Sequence, residues 1–348
     1  MPRSAILGRL RHAASIALGR HLWRPPAQSS RAGHPAEDGF LCVIDRFSLA
    51  QGRLRLAGWT HHPGKTLARM TLRLPGGAAH PVAATGLPSP DLVPRLGAGA
   101  GRARFDETLS LSGSVGEVAD AVLMLRFADG SERGVTGLGA AEDDPAKALT
   151  PRFAAMLKEQ GPGQLLEVGS RARSGNVNRH LVPEGWGYTG MDVLAGPNVD
   201  VVGDAHRLST LFPERRFDGV MAFSVLEHIL MPWRFAVELN KVMNLGGVAL
   251  FTTHQSWPMH DQPWDFWRYS NTSWAALFNH ATGFEVVAAG LGERVFLTAE
   301  RLHPVTAFTD TDLHSGWGMS AVLIRKTGET ALEWPVEPED VIQSSYPA

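Results

Sequence analysis

Four short apolar runs in the second half of the chain each end in residues able to bind a ligand or react. "QLLEVG" ends in Glu167 and Gly169 and leads into Ser170, Arg171 and Gly175. "GYTGMDV" ends in Asp192 and Val193, "VDVVGDA" in Asp204 and Ala205, and "FDGVMAFS" in Ser224. A carboxylate that closes a second strand, as Asp192 does, can accept both hydrogen bonds of a ribose diol. A further acid, Asp204, can accept from an adenine amino group while the backbone N–H of Ala205 donates. The two acids together point to a nucleoside-bearing ligand, whereas either alone would be a weak sign.

Proton chemistry falls to histidine, whose imidazole titrates near neutrality. His228, His254 and His260 all follow these strand ends. Each taken alone is more often structural than catalytic. His260 is the preferred base, because His254 still belongs to a strand end and His228 to the helix after the fourth strand. Around them, "THQSWPMHDQPWDFWRYSNTSW" gathers Trp257, Trp264, Trp267 and Trp274. Flat amphipathic rings of this kind stack on the C–H faces of sugars, or pin a loop down as a lid. Trp257, Trp264, Asp265, Arg268 and Tyr269 are the residues expected to meet an acceptor.

Positioning such groups requires a sheet whose strands all deliver their ends to one edge. From about residue 150 strand-like and helical runs alternate, which predicts an α/β fold with a mostly parallel, Rossmann-like, seven-stranded sheet. "GGVALFTTH" supplies the fifth strand, and "GFEVVAAG" and "MSAVLIRK" the last two. "PWRFAVELNKVMNLGG" repeats apolar residues at helical spacing and ends in glycines. Ligands of such sheets bind at the carboxyl ends of the strands.

The part before it reads differently. Over 40–139, "RLRLAGW" and "ARMTLRL" alternate with the period of half-buried strands, and "VLMLRFADGSERGV" folds back at Asp129-Gly130. No stretch there is convincingly helical, and a small antiparallel β-sandwich is expected, with Trp59 in its core. Residues 140–149 read as a linker, 150–326 as the α/β domain and 327–348 as a tail. Residues 1–39 form a basic leader: Arg3, Arg9, Arg11, Arg20, Arg24 and Arg31 stand there with no acid before Glu37. Its apolar spacing would suit an amphipathic helix on an anionic membrane surface, or it is simply a solvated leader.

Composition limits the alternatives. The chain has 348 residues, 44% hydrophobic and 20% charged, long enough for two domains. A net charge of −2 offers no general field for nucleic acid, and a single cysteine, Cys42, excludes an internal disulfide. The spacing Gly169 to Gly175 departs from G-x-G-x-x-G, which disfavours a nicotinamide oxidoreductase.

Over roughly 150–326 the chain resembles the class I S-adenosylmethionine-dependent methyltransferases of the type 11 kind. "SVLEHILMPW", "ELNKVMNLGG" and "HDQPWDFWRYS" are most similar to bacterial enzymes that methylate glycans or other small hydroxylated acceptors. The resemblance implies S-adenosyl-L-methionine as cofactor, with Glu167, Gly169 and Gly175 at its methionine end, Asp192 at the ribose and Asp204 with Ala205 at the adenine. "GSRARSG" stands where many relatives carry a tighter glycine triplet. The cofactor brings no pyrophosphate that must touch backbone, so Arg171 or Arg173 can instead pair its carboxylate. "LEH" with a later "HD" also resembles the magnesium site of small-RNA 2′-O-methyltransferases. Ser224 replaces the preceding glutamate of that pattern, so Glu227, His228 and His260 form an incomplete set and no metal is expected. "GRLRLAGWTHHP" and "SPDLVPRLG" resemble β-sandwich modules fused to bacterial surface-glycan enzymes.

The function expected from this reading is methylation of a sugar hydroxyl in a surface-polysaccharide or lipid-linked glycan precursor. It would take place in the cytoplasm or on the inner membrane face, with no nucleic-acid partner. The alternatives are a glycan-binding or assembly protein whose methyltransferase-like domain does not turn over, and an enzyme acting on another small hydroxylated acceptor.

Overall fold

The computed structural model describes residues 29–50, 52–111, 118–139, 144–173, 175, 177–297 and 315–347. The leader helix expected within residues 1–24 lies outside them. The chain divides into two compact units, 1–142 and 143–348.

The first unit is built of β1 (Ser29–Arg31), β2 (Leu41–Ala50), β3 (Arg53–His61), β4 (Leu67–Arg73), β5 (Ala79–Val82), β6 (Thr85–Leu87), β7 (Arg104–Ser110), β8 (Val122–Phe127) and β9 (Glu132–Thr136). They form a sheet in the order β1-β9-β8-β4-β5 and another in the order β2-β3-β7-β6. Alternation explains the shared core: Leu54 and Leu56 of β3 meet Met70 and Leu72 of β4 and Leu123 and Leu125 of β8 in one buried cluster. Trp59 is buried in a smaller cluster with Leu92 and Ala100. The unit differs from the sequence reading at its start and in its helical content. β1 pairs with β9 in parallel, so the unit begins ahead of residue 40 and is not wholly antiparallel. Short helical turns occupy Pro90–Leu92, Val93–Leu96 and Ala98–Ala100.

The second unit carries β10 (Gln164–Val168), β11 (Gly187–Asp192), β12 (Val201–Val202), β13 (Phe217–Phe223), β14 (Met243–His254), β15 (Phe284–Phe296) and β16 (Ser315–Lys326). They lie in the order β12-β11-β10-β13-β14-β16-β15. Pairings from β12 through β14 are parallel, and β16 runs antiparallel to both β14 and β15. Parallel strands buried on both faces need an apolar residue at every position, and helices to cover them. Accordingly Leu165, Met221, Leu250 and Leu323 pack against Phe153 and Leu157 of the helix Leu149–Gln160. Leu166, Val220, Ala249 and Val322 pack against Phe235 and Leu239 of the helix Pro232–Val242. Ala146 and Leu149 are buried in the first of these faces, so the end of the expected linker is part of the second unit's core.

The helix Pro232–Val242 ends abruptly against Met243, already extended. Lys326, buried at the end of β16, donates to the carbonyls of Asn240 (2.7 Å) and Met243 (3.0 Å). A buried cation at a helix C-terminus satisfies carbonyls that have no partner within the helix. It also fixes the helix against the sheet whose opposite edge carries the site.

Candidate functional site

A cavity of ≈380 Å³ opens at the carboxyl ends of β10 to β13, lined by Gly169, Asp192, Asp204 and Ser224 from those ends. Gly169 has φ +76°, and a Cβ there would lie 2.2 Å from a methyl of Val225. Only glycine satisfies both the left-handed backbone and the close approach of the next strand's loop. Its N–H and that of Ser170 both donate to the carbonyl of Met191, at 2.8 and 2.9 Å. The loop is thereby folded over the end of β11, toward Asp192.

Asp192 accepts from the backbone N–H of Leu194 at 2.9 Å, and Arg171 Nε lies 3.8 Å from the same carboxylate oxygen. That Nε is buried without a hydrogen-bond partner among the described residues. A donor buried unsatisfied costs about 1–3 kcal/mol, so a cavity-lining arginine in this state is suited to an anionic ligand group. Asp204 is held differently. Its Oδ1 accepts from the N–H of His206 (2.9 Å) and from Nδ1 of the same residue (2.6 Å), while Nε2 of His206 accepts from the N–H of Met231 (3.1 Å). Burial acts to raise the Asp204 carboxyl, but the bonds from His206 outweigh it and hold the group below the ordinary range. An ionised Asp204 keeps its second oxygen for a ligand donor.

The reactive groups stand on the same cavity wall. His228 and His260 line it with ring centroids 4.8 Å apart. Nδ1 of His228 lies 2.5 Å from the carbonyl of Trp264, and Nδ1 of His260 lies 3.2 Å from Pro258 O and 3.2 Å from Asp265 Oδ2. A carbonyl can only accept, so in both rings Nδ1 carries the hydrogen when neutral and Nε2 keeps its lone pair. Asp265 is the orienting group for His260. Hydrogen bonds from Arg268 hold its carboxyl down at about 2, burial opposing, and the N–H of His260 donates to it at 2.8 Å.

Several expected site residues lie elsewhere. Glu167 is buried behind the loop, accepting from Asn178 Nδ2 (2.7 Å) and from the Tyr188 hydroxyl, and does not line the cavity. Ser170 turns its hydroxyl to Asn198 O (2.8 Å), and Gly175 serves the turn with φ +82°. Of the acceptor-side set, Trp264 lines the cavity. Asp265 and Arg268 instead pair with each other at 2.6 Å inside the loop, and Tyr269 is buried, stacked on Trp274 at 4.6 Å with its hydroxyl on Leu226 O. Trp257 is half-exposed and stacks on His254 at 4.8 Å. His254 is thus a floor residue: its Nε2 lies 3.1 Å from Glu227 Oε1 and it does not reach the cavity. Arg171, Asp192, Val193, Asp204, Ala205, Ser224, His228 and His260 do line the cavity.

Sequence reading missed His206, Asp261 and Tyr346 on the lining. Asp261 and Ser224 are two of four non-glycine residues with positive φ among the described residues, at 46° and 53°. Such backbone costs of order 1–3 kcal/mol and collects at functional sites. Glu227, His228 and His260 offer ligand atoms within 4.8 Å of one another. Glu227 Oε1 is buried and takes no well-aligned hydrogen bond, although His254 Nε2 is near it. The nearby His254 ring and the Thr253 hydroxyl, which donates to the other oxygen, nevertheless hold the carboxyl below its ordinary range against its burial. Three donors leave any cation dependent on water for the rest of its shell.

Residues 141–289 match the family model described as "Methyltransferase domain". Among solved structures, a Burkholderia thailandensis 1,6-didemethyltoxoflavin-N1-methyltransferase with bound 1,6-didemethyltoxoflavin and S-adenosylhomocysteine is similar at 18% identity and TM-score 0.36, over 52% of this chain and 79% of that one. The YcgJ protein of Bacillus subtilis is similar at 15% identity and TM-score 0.36, over 51% and 98%. No curated protein matches the sequence. The match covers less than half of the chain and supports methyltransferase activity for the part that carries the cavity.

Proposed function

We propose that the enzyme methylates a hydroxyl of a sugar in a bacterial surface-polysaccharide or lipid-linked glycan precursor. The observation that carries this reading is the shared cavity. Asp192 and Asp204, suited to a nucleoside, line the same space as His228, His260 and Trp264, suited to a hydroxylated acceptor.

S-adenosylmethionine supplies a methyl group activated on a positively charged sulfur. Asp192 would accept from its ribose, Asp204 from its adenine, and Arg171, whose Nε has no hydrogen-bond partner among the described residues and lies 3.8 Å from Asp192, would pair its carboxylate. Trp264 would offer a face to the sugar ring. His260, with Nδ1–H turned to Asp265, would take the hydroxyl proton at Nε2 as the oxygen attacks; His228 is the runner-up. Alignment in one cavity supplies much of the acceleration, since the reaction is a single in-line displacement.

A second cavity, of ≈540 Å³ in the first unit, supports a glycan ligand there too. His61, His62, Lys65, Arg102 and Arg104 line it, together with Phe105 and Phe127 and no acid. Among the described residues Lys65 and Arg104 are already paired with Asp129 and Asp91, which leaves Arg102 as the uncompensated cation of this lining. A carboxylated sugar fits that inventory. No helix among the described residues is long and apolar enough to cross a membrane. A peripheral contact on the cytoplasmic side would rest on the arginines of the leader.

Calorimetry with S-adenosylmethionine, followed by incubation of the labelled donor with fractionated envelope glycans, tests the proposal. Binding together with methylated glycan supports it. Binding without transfer to any fraction would favour a non-catalytic assembly role.

A further inference from the structure

The segment after β16 returns to the cavity that the sequence reading assigned to other elements. Glu337 anchors it, accepting from Arg234 (2.8 Å) and from Arg207 (3.1 Å). The Trp334 ring lies parallel to that of Trp233, 6.4 Å away. Beyond this base the hold is lighter. Ser344 accepts from Trp264 Nε1 at 3.1 Å, and the Tyr346 hydroxyl donates to Asp261 Oδ2 at 3.0 Å. The Tyr346 ring meets His228 edge-on at 5.5 Å and lines the cavity. Asp261 in turn receives Arg173 at 2.7 Å, from the loop that follows β10.

We infer that Arg173, Asp261 and Tyr346 form a latch across the cavity that controls exchange of the cofactor. The chain of bonds joins three segments remote in sequence, namely the loop after β10, the loop after β14 and the last segment. The links are an Arg173–Asp261 ion pair and the Tyr346 hydroxyl on the same carboxylate, at positions partly open to solvent where water competes for each partner and the chain can open on the timescale of turnover. The base has more contacts: two arginines reach Glu337, and Arg234 also donates to the carbonyls of Trp334 and Val336, so the base stays in place while the tip swings. Asp261 is held in the left-handed region, φ 46°, where few side chains rest unless their partners fix them. These are positioning residues: they touch one another and wall the cavity, and the proton chemistry remains with His260.

This inference rests on the cofactor occupying the cavity as proposed above. The test is stopped-flow dissociation of S-adenosylhomocysteine from the full chain and from Tyr346→Phe, Asp261→Asn and Arg173→Ala, with calorimetric affinity measured in parallel. Each variant is expected to release the ligand about tenfold faster, the scale of one lost hydrogen bond to a charged group. The Tyr346→Phe, Asp261→Asn double variant should add little to either single, because both open the same chain. Hydrogen exchange of residues 342–347 in the ligand-free protein should rise in Tyr346→Phe and Asp261→Asn alike. Tight binding with dissociation rates within twofold of the unaltered protein, or unchanged exchange in both variants, would overturn the latch alone. Absence of any binding to the unaltered protein would overturn the cofactor assignment and the latch with it.

Discussion

His260 and His228 face each other edge-to-face, 4.8 Å between ring centres, and each has its Nδ1 turned onto a fixed acceptor. Two imidazoles so arranged both present Nε2 as the basic atom. Both Nδ1 atoms face a backbone carbonyl, and they differ in the carboxylate beside them: Asp265 stands 3.2 Å from Nδ1 of His260, whereas Glu227 stands 3.9 Å from Nε2 of His228. A carboxylate behind Nδ1 stabilises the imidazolium while leaving Nε2 open to the acceptor, which favours His260 as the base.

His260→Ala is therefore expected to lower the transfer rate by about 10²–10⁴-fold, the range of a positioned general base, while leaving cofactor affinity within twofold. His228→Ala should lower it less. Steady-state rates with calorimetric affinities check this, and a larger loss in His228→Ala would exchange the two roles.

Asp265 gives a pH dependence of stability. Its carboxyl lies at about 2 in the fold, below the ordinary value near 4, chiefly through its hydrogen bonds from Arg268. A depressed acid stabilises the fold fully above its unfolded value, and that contribution is lost as pH falls from about 4 toward about 2. Asp265→Asn should accordingly unfold at lower denaturant concentration at pH 7 and narrow its deficit across that window. A deficit independent of pH between 2 and 5 would show that the charge is not what holds the loop.

Asp192→Ala is expected to weaken cofactor binding by about 1.5–3 kcal/mol, the scale of hydrogen bonds to a charged acceptor. Unchanged affinity in a folded variant would remove Asp192 from the ribose site.

How legible these residues were in the sequence follows from what each depends on. Gly169, Asp192 and Asp204 stand immediately after apolar strands, so a local pattern places them at the sheet's carboxyl edge. Their strands follow from continuous apolar runs, and the hairpin between β8 and β9 from Asp129-Gly130. Glu167 follows the same pattern, yet Asn178 and Tyr188 reach in from β11 and its approach and consume it. No spacing rule reveals that. Asp265, Arg268 and Tyr269 look like acceptor contacts by type, but the first two satisfy each other and the third is buried against Trp274. Tyr346 was out of reach because its partner Asp261 is far away in sequence and the intervening tail has no periodic pattern.

Activity is expected to survive exhaustive chelation, because Glu227, His228 and His260 supply three ligand atoms and Glu227 is held by Thr253 and His254. Loss of activity in a chelator, with recovery on adding magnesium or manganese, would make the same residues a metal centre and His260 a ligand.

The proposed chemistry is tested most directly by where the methyl group lands. A single turnover with methyl-labelled S-adenosylmethionine and an envelope-glycan fraction, followed by acid hydrolysis and mass spectrometry of the monosaccharides, should recover the label as a sugar methyl ether stable to alkali. His260→Ala, loaded with the same cofactor, should recover about 10²–10⁴-fold less at early times. Label found in an alkali-labile ester or on nitrogen, or retained wholly on the bound cofactor with every glycan fraction, would contradict methylation of a sugar hydroxyl.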